Sequence, residues 1–253
     1  MLLGGNKLVV RKILLWLFVL FALFFVINVI IVLPGIWAAH ETQKRLDIGY
    51  RTTTSDRMVS LEVGDRFFEI PQNHIWYRGA WRGGKLQGVN MHALLPDFEP
   101  YQESNKHEFD RPGWSRKISF LLSEHNIPGS RTSKTSMTRE EIYLRIMRRI
   151  EDGEIDDFHD KEGPFGLFRR VSENKSQTRE LYVGTKPDGS FYWVRCTPEG
   201  ERLHPSCSTH IEHSEQATIK YTFSRRFLKD WIAIDDGVID FFSKLDVSDS
   251  QGE

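Results

Sequence analysis

Cys196 and Cys207 are the only cysteines in the chain, and three histidines, His204, His210 and His213, crowd the same stretch. Thiols and imidazoles in one segment offer two chemistries. The ten residues between the cysteines include Pro198, Gly200 and Pro205, so the thiols face each other across a turn. In an oxidising compartment such a pair reads as a disulfide. A loop this short contributes about 2–3 kcal/mol through loop-closure entropy, and its expected job is to pin a loop to a sheet edge. The competing reading is zinc, for which Cys and His are ligands. No Cys-x-x-Cys pair is present, and an oxidised cysteine cannot ligate. The expectation is therefore a disulfide, with no metal and no cofactor.

A second group is aromatic and basic. Trp76, Tyr77 and Trp81 lie among Arg78, Arg82 and Lys85, around Gly83-Gly84. Rings with cations can stack on sugars or meet phosphate head groups. The plainer reading has the rings packed inward from an amphipathic strand. The third group is acidic: Glu151, Asp152, Glu154, Asp156, Asp157, Asp160 and Glu162. Clustered carboxylates suit calcium, but Asp157 stands where an EF-hand loop requires glycine. A solvated acidic loop is the simpler reading, and a docking site for a basic partner lies between the two.

Catalytic motifs do not emerge. The chain has no Gly-x-Ser-x-Gly elbow, no His-Glu-x-x-His pair, no P-loop, and no dinucleotide glycine run behind a strand. Its histidines and carboxylates are numerous enough to assemble a triad on paper anywhere, so such an assembly discriminates nothing. The reading is a non-enzyme.

The elements that would position these groups begin with residues 13–33, ILLWLFVLFALFFVINVIIVL, which carry no charge and one polar side chain, Asn28. At about 1.5 Å per residue this segment spans roughly 30 Å, the hydrocarbon thickness of a bilayer. It is longer than a signal-peptide core, and Trp37 occupies a position where cleavage wants a small side chain. An uncleaved transmembrane helix is expected, with Trp16 and Trp37 near its ends as interfacial anchors. Lys7, Arg11 and Lys12 precede it without an acid, which places residues 1–12 in the cytoplasm and the bulk outside. Three of the 34 basic residues lie before the span and all 35 acidic ones after it, so the exported part has 31 bases, 35 acids and a charge of −4. That mild balance gives no case for nucleic acid.

Residues 34–58 read as a polar stem, 59–246 as one extracytoplasmic domain, and 247–253 as a disordered tail. Within the domain, 59–63 and 66–70 alternate as half-buried strands, and 74–82 and 85–94 are expected to form a hairpin across Gly83-Gly84. A long irregular region follows from 95 to 116. Residues 118–122 read as a buried strand. Thr138 with Glu141 three residues on is a capping box, opening a helix whose stripe is Ile142, Ile146 and Ile150. Residues 180–185 and 190–195 flank Pro187-Asp188-Gly189, a turn signal for a β-hairpin. Residues 217–223 are another strand. A last helix is expected from 225 to 244, with Ser224 as N-cap and a broad apolar face in which Gly237 is a weak point. The sum is an α+β domain: an antiparallel sheet with two main helices, preceded by one transmembrane helix.

Two stretches carry a resemblance. One is Ile70-Pro71-x-Asn73 followed by Leu95-Pro96-Asp97-Phe98. The other runs from the Cys196/Cys207 loop through Tyr221-x-Phe223-x-Arg225 to Leu228-x-Asp230-Trp231-x-x-Ile234-Asp235. In these the chain resembles a group of bacterial single-pass envelope proteins, some similar to immunity proteins paired with secreted antibacterial toxins, as in type VI secretion. The resemblance implies a periplasmic domain anchored in the bacterial inner membrane that binds and blocks a protein partner, such as a secreted toxin. It carries over no functional residue. The alternatives are a structural subunit of an envelope complex, assembled through Asn28 in the membrane, and an envelope hydrolase with a site lined by Trp76, Trp81 and the histidine cluster.

Overall fold

The computed structural model describes residues 14–24, 52–111, 115–124, 138–144, 158–172 and 179–250. The chain divides into two compact units, Met1–Gly49 and Tyr50–Glu253. In the first, residues 14–24 are helical with exposed side chains. Among the described residues no helix is long and apolar enough to cross a membrane. The rest of the expected span, residues 13 and 25–33, lies outside the described residues, as do 1–12 and 34–51.

The second unit is built on an eight-stranded antiparallel sheet in the order β4-β5-β11-β10-β9-β8-β7-β6. Its strands are β4 (Gly88–Leu94), β5 (Lys117–Glu124), β6 (Phe158–Glu162), β7 (Phe168–Ser172), β8 (Glu180–Thr185), β9 (Phe191–Cys196), β10 (Ser206–Glu212) and β11 (Ala217–Ser224). A smaller sheet, order β2-β1-β3, holds β1 (Met58–Val63), β2 (Arg66–Pro71) and β3 (Gly84–Lys85). Among the described residues of this unit, the helices are α1 (Lys106–Asp110), the segment 139–144, and α2 (Trp231–Leu245). The architecture is α+β, with a large antiparallel sheet and few helices.

Strand alternation decides the layering. Every second residue of β11 (Ala217, Ile219, Tyr221, Phe223) is buried, and so are Ile118, Phe120 and Leu122 of β5. These side chains share one face of the sheet. They pack with Val59, Leu61 and Phe68 of the small sheet and with Trp231, Ile234, Val238 and Phe242 of α2 in one core. The opposite face carries a second cluster, where Ile142 and Tyr143 cover Leu181, Val183 and Trp193.

Strands β1 and β2 form where the alternation places them and pair antiparallel, and the β8–β9 hairpin forms as expected. Gly189 has φ 84°, and its N–H donates to the Lys186 carbonyl at 2.9 Å. The capping box also closes. The Thr138 N–H donates to Glu141 Oε2 at 2.7 Å, and the Glu141 N–H to Thr138 Oγ1 at 3.2 Å. The remainder of that helix stripe, Ile146 and Ile150, lies outside the described residues.

Three local expectations are corrected. Residues 74–82 and 85–94 do not form a hairpin. Residues 72–74 and 78–82 are 3-10 turns, β3 pairs in parallel with β1, and β4 pairs with β5. Gly83 serves close approach instead, because a Cβ on it would stand 2.6 Å from the Ser60 carbonyl oxygen. The last helix starts later than expected: Arg225–Asp230 is 3-10 and α2 begins at Trp231. Ser224 makes no side-chain cap, since it is still a β11 residue opposite Ser206. Finally, Val247 donates to the Phe67 carbonyl at 2.8 Å and Ser248 Oγ accepts from the Phe67 N–H at 2.8 Å. The chain after α2 is thus tied to β2 at least through Ser248. Gly237 also gains a reason: a Cβ there would meet the Phe98 ring at 2.5 Å, so the glycine admits that ring at the expense of helix propensity.

Candidate functional site

Cys196 and Cys207 form a disulfide with an S–S distance of 2.02 Å. It does not pin a loop to an edge. The two residues are register partners on β9 and β10, inside the eight-stranded sheet. The neighbouring histidines are not brought together. His210 stacks on Trp193 at 5.6 Å, on the face away from the main core. His213 lies near Phe68 and Phe242 on the core side and bonds Asp246 Oδ2 through Nε2 at 2.8 Å. A trio split between two faces cannot close on one ion. Of the acidic segment, residues 151–157 lie outside the described residues. The described end is strand β6, where Asp160 pairs with Arg170 at 2.8 Å.

The aromatic patch is packed inward. Trp81 contacts the core, and its Nε1 donates to the Ile75 carbonyl at 3.2 Å. Trp76 stacks between Tyr77 and His92 at 6.1 and 5.7 Å, with Lys117 Nζ 5.4 Å above its ring. Arg78 and Arg82 remain exposed, and Lys85 pairs with Glu62.

Beside this patch lies a pair of buried histidines. His74 Nδ1 is 3.0 Å from the His92 carbonyl, and His92, 1% exposed, is enclosed by Trp76, Tyr101 and Phe109. Burial, and then the positive charges of His74 and Lys117, push the His92 pKa from 6.5 down to about 3. Burial lowers His74 as well. The unfolded chain therefore binds protons that the folded chain refuses. Stability is fully present above the unfolded value of 6.5 and is lost as pH falls toward the folded value of about 3. Each such group removes about 1.4 kcal/mol per pH unit within its window. The urea midpoint should fall between pH 7 and pH 5, where carboxylates are still ionised, and His92→Gln should flatten that slope. A midpoint that ignores pH over this range contradicts the assignment.

A polar network, which the sequence reading missed, crosses the main core. Asp235 of α2 is 0% exposed. Its carboxylate accepts from Arg139 Nη1 at 2.8 Å, Lys186 Nζ at 3.1 Å and Tyr221 Oη at 2.6 Å. Arg139 also donates to Thr209 Oγ1 and lies over the Tyr192 ring at 4.7 Å. Burial alone would raise the Asp235 pKa. The hydrogen bond and charge of Arg139, with Tyr221 and Lys186, outweigh it and hold the carboxyl below its ordinary range. Every oxygen of this group is occupied by protein, so it ties elements together and leaves nothing for a substrate.

Among the described residues the surface includes two clefts and an exposed strand connection. A cleft of about 360 Å³ runs between Leu95-Pro96 and Phe227, Ala233 and Ile234, with Arg116 and Asp230 at its rim. A second, of about 580 Å³, is lined by Arg202, Leu203, Arg225 and Arg226 on the disulfide loop and its neighbour. The strand connection is the β6–β7 tip, where Phe165 and Phe168 are 56% and 52% exposed.

No family model and no curated protein sequence matches the chain. Among solved structures it is similar to an immunity protein of the Stenotrophomonas maltophilia type IV secretion system. The TM-score is 0.54 at 15% identity, over 78% of this chain and 97% of that one. At this identity the likeness is one of fold, and it covers nearly the whole of the other protein.

Proposed function

We propose that the chain is an immunity protein: a non-catalytic domain that binds and blocks a protein toxin delivered by a secretion system. The observation that carries this reading is the fold shared with a secretion-system immunity protein along nearly all of that protein's length. The residues agree with it. The buried Asp235 carboxylate is bonded by its own neighbours Arg139, Lys186 and Tyr221, while apolar and basic groups lie at the surface. A disulfide inside the sheet suits an oxidising compartment. We place the domain in the periplasm of a bacterial inner membrane, anchored by residues 13–33 with 1–12 in the cytoplasm.

The test is survival in contact with kin. Source-strain cells lacking the gene are mixed with wild-type siblings whose secretion apparatus is intact, and with siblings in which it is disabled. Loss of the deletion cells only beside competent siblings, reversed by supplying the gene, is the expected result. Deletion cells that survive both challenges equally exclude the immunity reading. Supplying residues 37–253 behind a cleaved signal peptide should protect as well, because blocking resides in the domain.

A further inference from the structure

We infer that the β6–β7 tip, led by Phe165 and Phe168, is the surface that docks into an apolar, carboxylate-rimmed pocket of the protein partner; this rests on the immunity reading. The tip is Gly163-Pro164-Phe165-Gly166-Leu167, closed on itself by the Gly163 N–H donating to the Leu167 carbonyl at 2.9 Å. Leu167 is 1% exposed and fixes the loop in the core. Phe165 has φ 61° and ψ 35°, the left-handed region. A bulky aromatic rarely adopts it, and strain of this kind persists only where the surroundings enforce it, most often at functional positions. The enforcing contact is visible: Trp231 Nε1 donates to the Phe165 carbonyl at 3.1 Å, and the Trp231 ring packs on Tyr192 at 4.4 Å. The fold therefore holds an exposed phenylalanine in a conformation that glycine would adopt more easily.

Such a site matches an anchor for binding. Aromatic side chains dominate interface energetics when they fill a pocket, and a rigid, pre-ordered loop loses little entropy on docking. The surrounding charge selects the pocket. The tip packs against the 3-10 segment Arg225–Asp230. Lys161, Arg226 and Lys229 are exposed around it, and Arg169 is 44% exposed. Arg169 pairs with Glu180 at 3.2 Å. Among the described residues these four cations face three exposed acids, Asp160, Glu162 and Asp230, an excess of one, although the chain as a whole carries −1. A local excess of cations steers toward an acidic partner.

The test uses the full chain in the kin-survival assay, with Phe165→Gly/Phe168→Ala. Gly at 165 relieves the left-handed strain, so the melting temperature should be equal or higher while protection is lost to the level of the deletion strain. Arg226→Glu/Lys229→Glu, at exposed positions, should lose protection too and provides the test if the first variant folds poorly. Wild-type protection with both folded variants equally protective overturns the surface and leaves the immunity reading standing. Deletion cells that need no protection remove both. Phe165→p-benzoylphenylalanine then identifies the occupant. A protein adduct formed only beside competent attackers supports the inference. A lipid adduct, an attacker-independent adduct, or none overturns it.

Discussion

Asp235→Ala should remove about 3–5 kcal/mol of folding stability, the range for breaking a buried ion group from one side. Two cations lose their shared partner. Arg139 and Lys186 have side chains 14% and 5% exposed, and both bond Asp235 Oδ2. Lys186 keeps its second partner, the half-exposed Asp236. Arg139 keeps only a 3.3 Å contact to Thr209 and the Tyr192 ring. Tyr221 Oη, fully buried, loses its acceptor as well. Tyr221→Phe removes one donor and leaves the ions paired, so its expected cost is about 1 kcal/mol. Urea denaturation of the two variants checks the ordering. Equal, small losses would show that Asp235 is dispensable to the fold. A low folded-state pKa means the Asp235 contribution is present above the ordinary carboxyl range and is lost as pH falls through that lower value.

The network also marks the limit of what the residue pattern reveals. The β8–β9 hairpin is written in Pro187-Asp188-Gly189, and the capping box in Thr138 and Glu141, because both are local signals whose partners lie within a few residues. Arg139 and Asp235 are 96 residues apart, and nothing local announces their meeting. One signal was available: Asp235 stands on the apolar stripe of α2, between Trp231 and Val238. An acid on a stripe that faces the core needs a cation. Gly83-Gly84 misled for the opposite reason. Positive φ was correctly expected, at 76° and 90°, but the same geometry serves a hairpin turn or a close pass beside another strand. Only the register with β1 separates the two. Phe165 had no signal at all, since a left-handed phenylalanine is imposed by Trp231 from 66 residues away.

Removing the disulfide, by Cys196→Ala/Cys207→Ala or by reduction, should cost about 3 kcal/mol, the loop-entropy value for a closure of this length, within an observed range of about 2–5 kcal/mol. The position argues for the upper part of that range. Between β9 and β10 the ladder contains only two register pairs, Cys207↔Cys196 and Ser208↔Arg195, whereas β10 and β11 share seven and β8 and β9 share six. The bridge therefore joins two halves of the sheet at their shortest seam: β4-β5-β11-β10 on one side and β9-β8-β7-β6 on the other. Both sulfur residues are 0% exposed, so alanine leaves a cavity whose cost adds to the entropy term. Hydrogen exchange distinguishes the two contributions. If the bridge holds the seam, amides of β9 and β10 near Arg195 and Ser208 should lose protection before those of the β5–β11 ladder. A uniform loss over both halves would mean that the bridge acts through the unfolded chain alone. In the first case the β6–β7 tip, carried on the weaker half, should lose its fixed geometry under reducing conditions while β4, β5 and β11 remain folded.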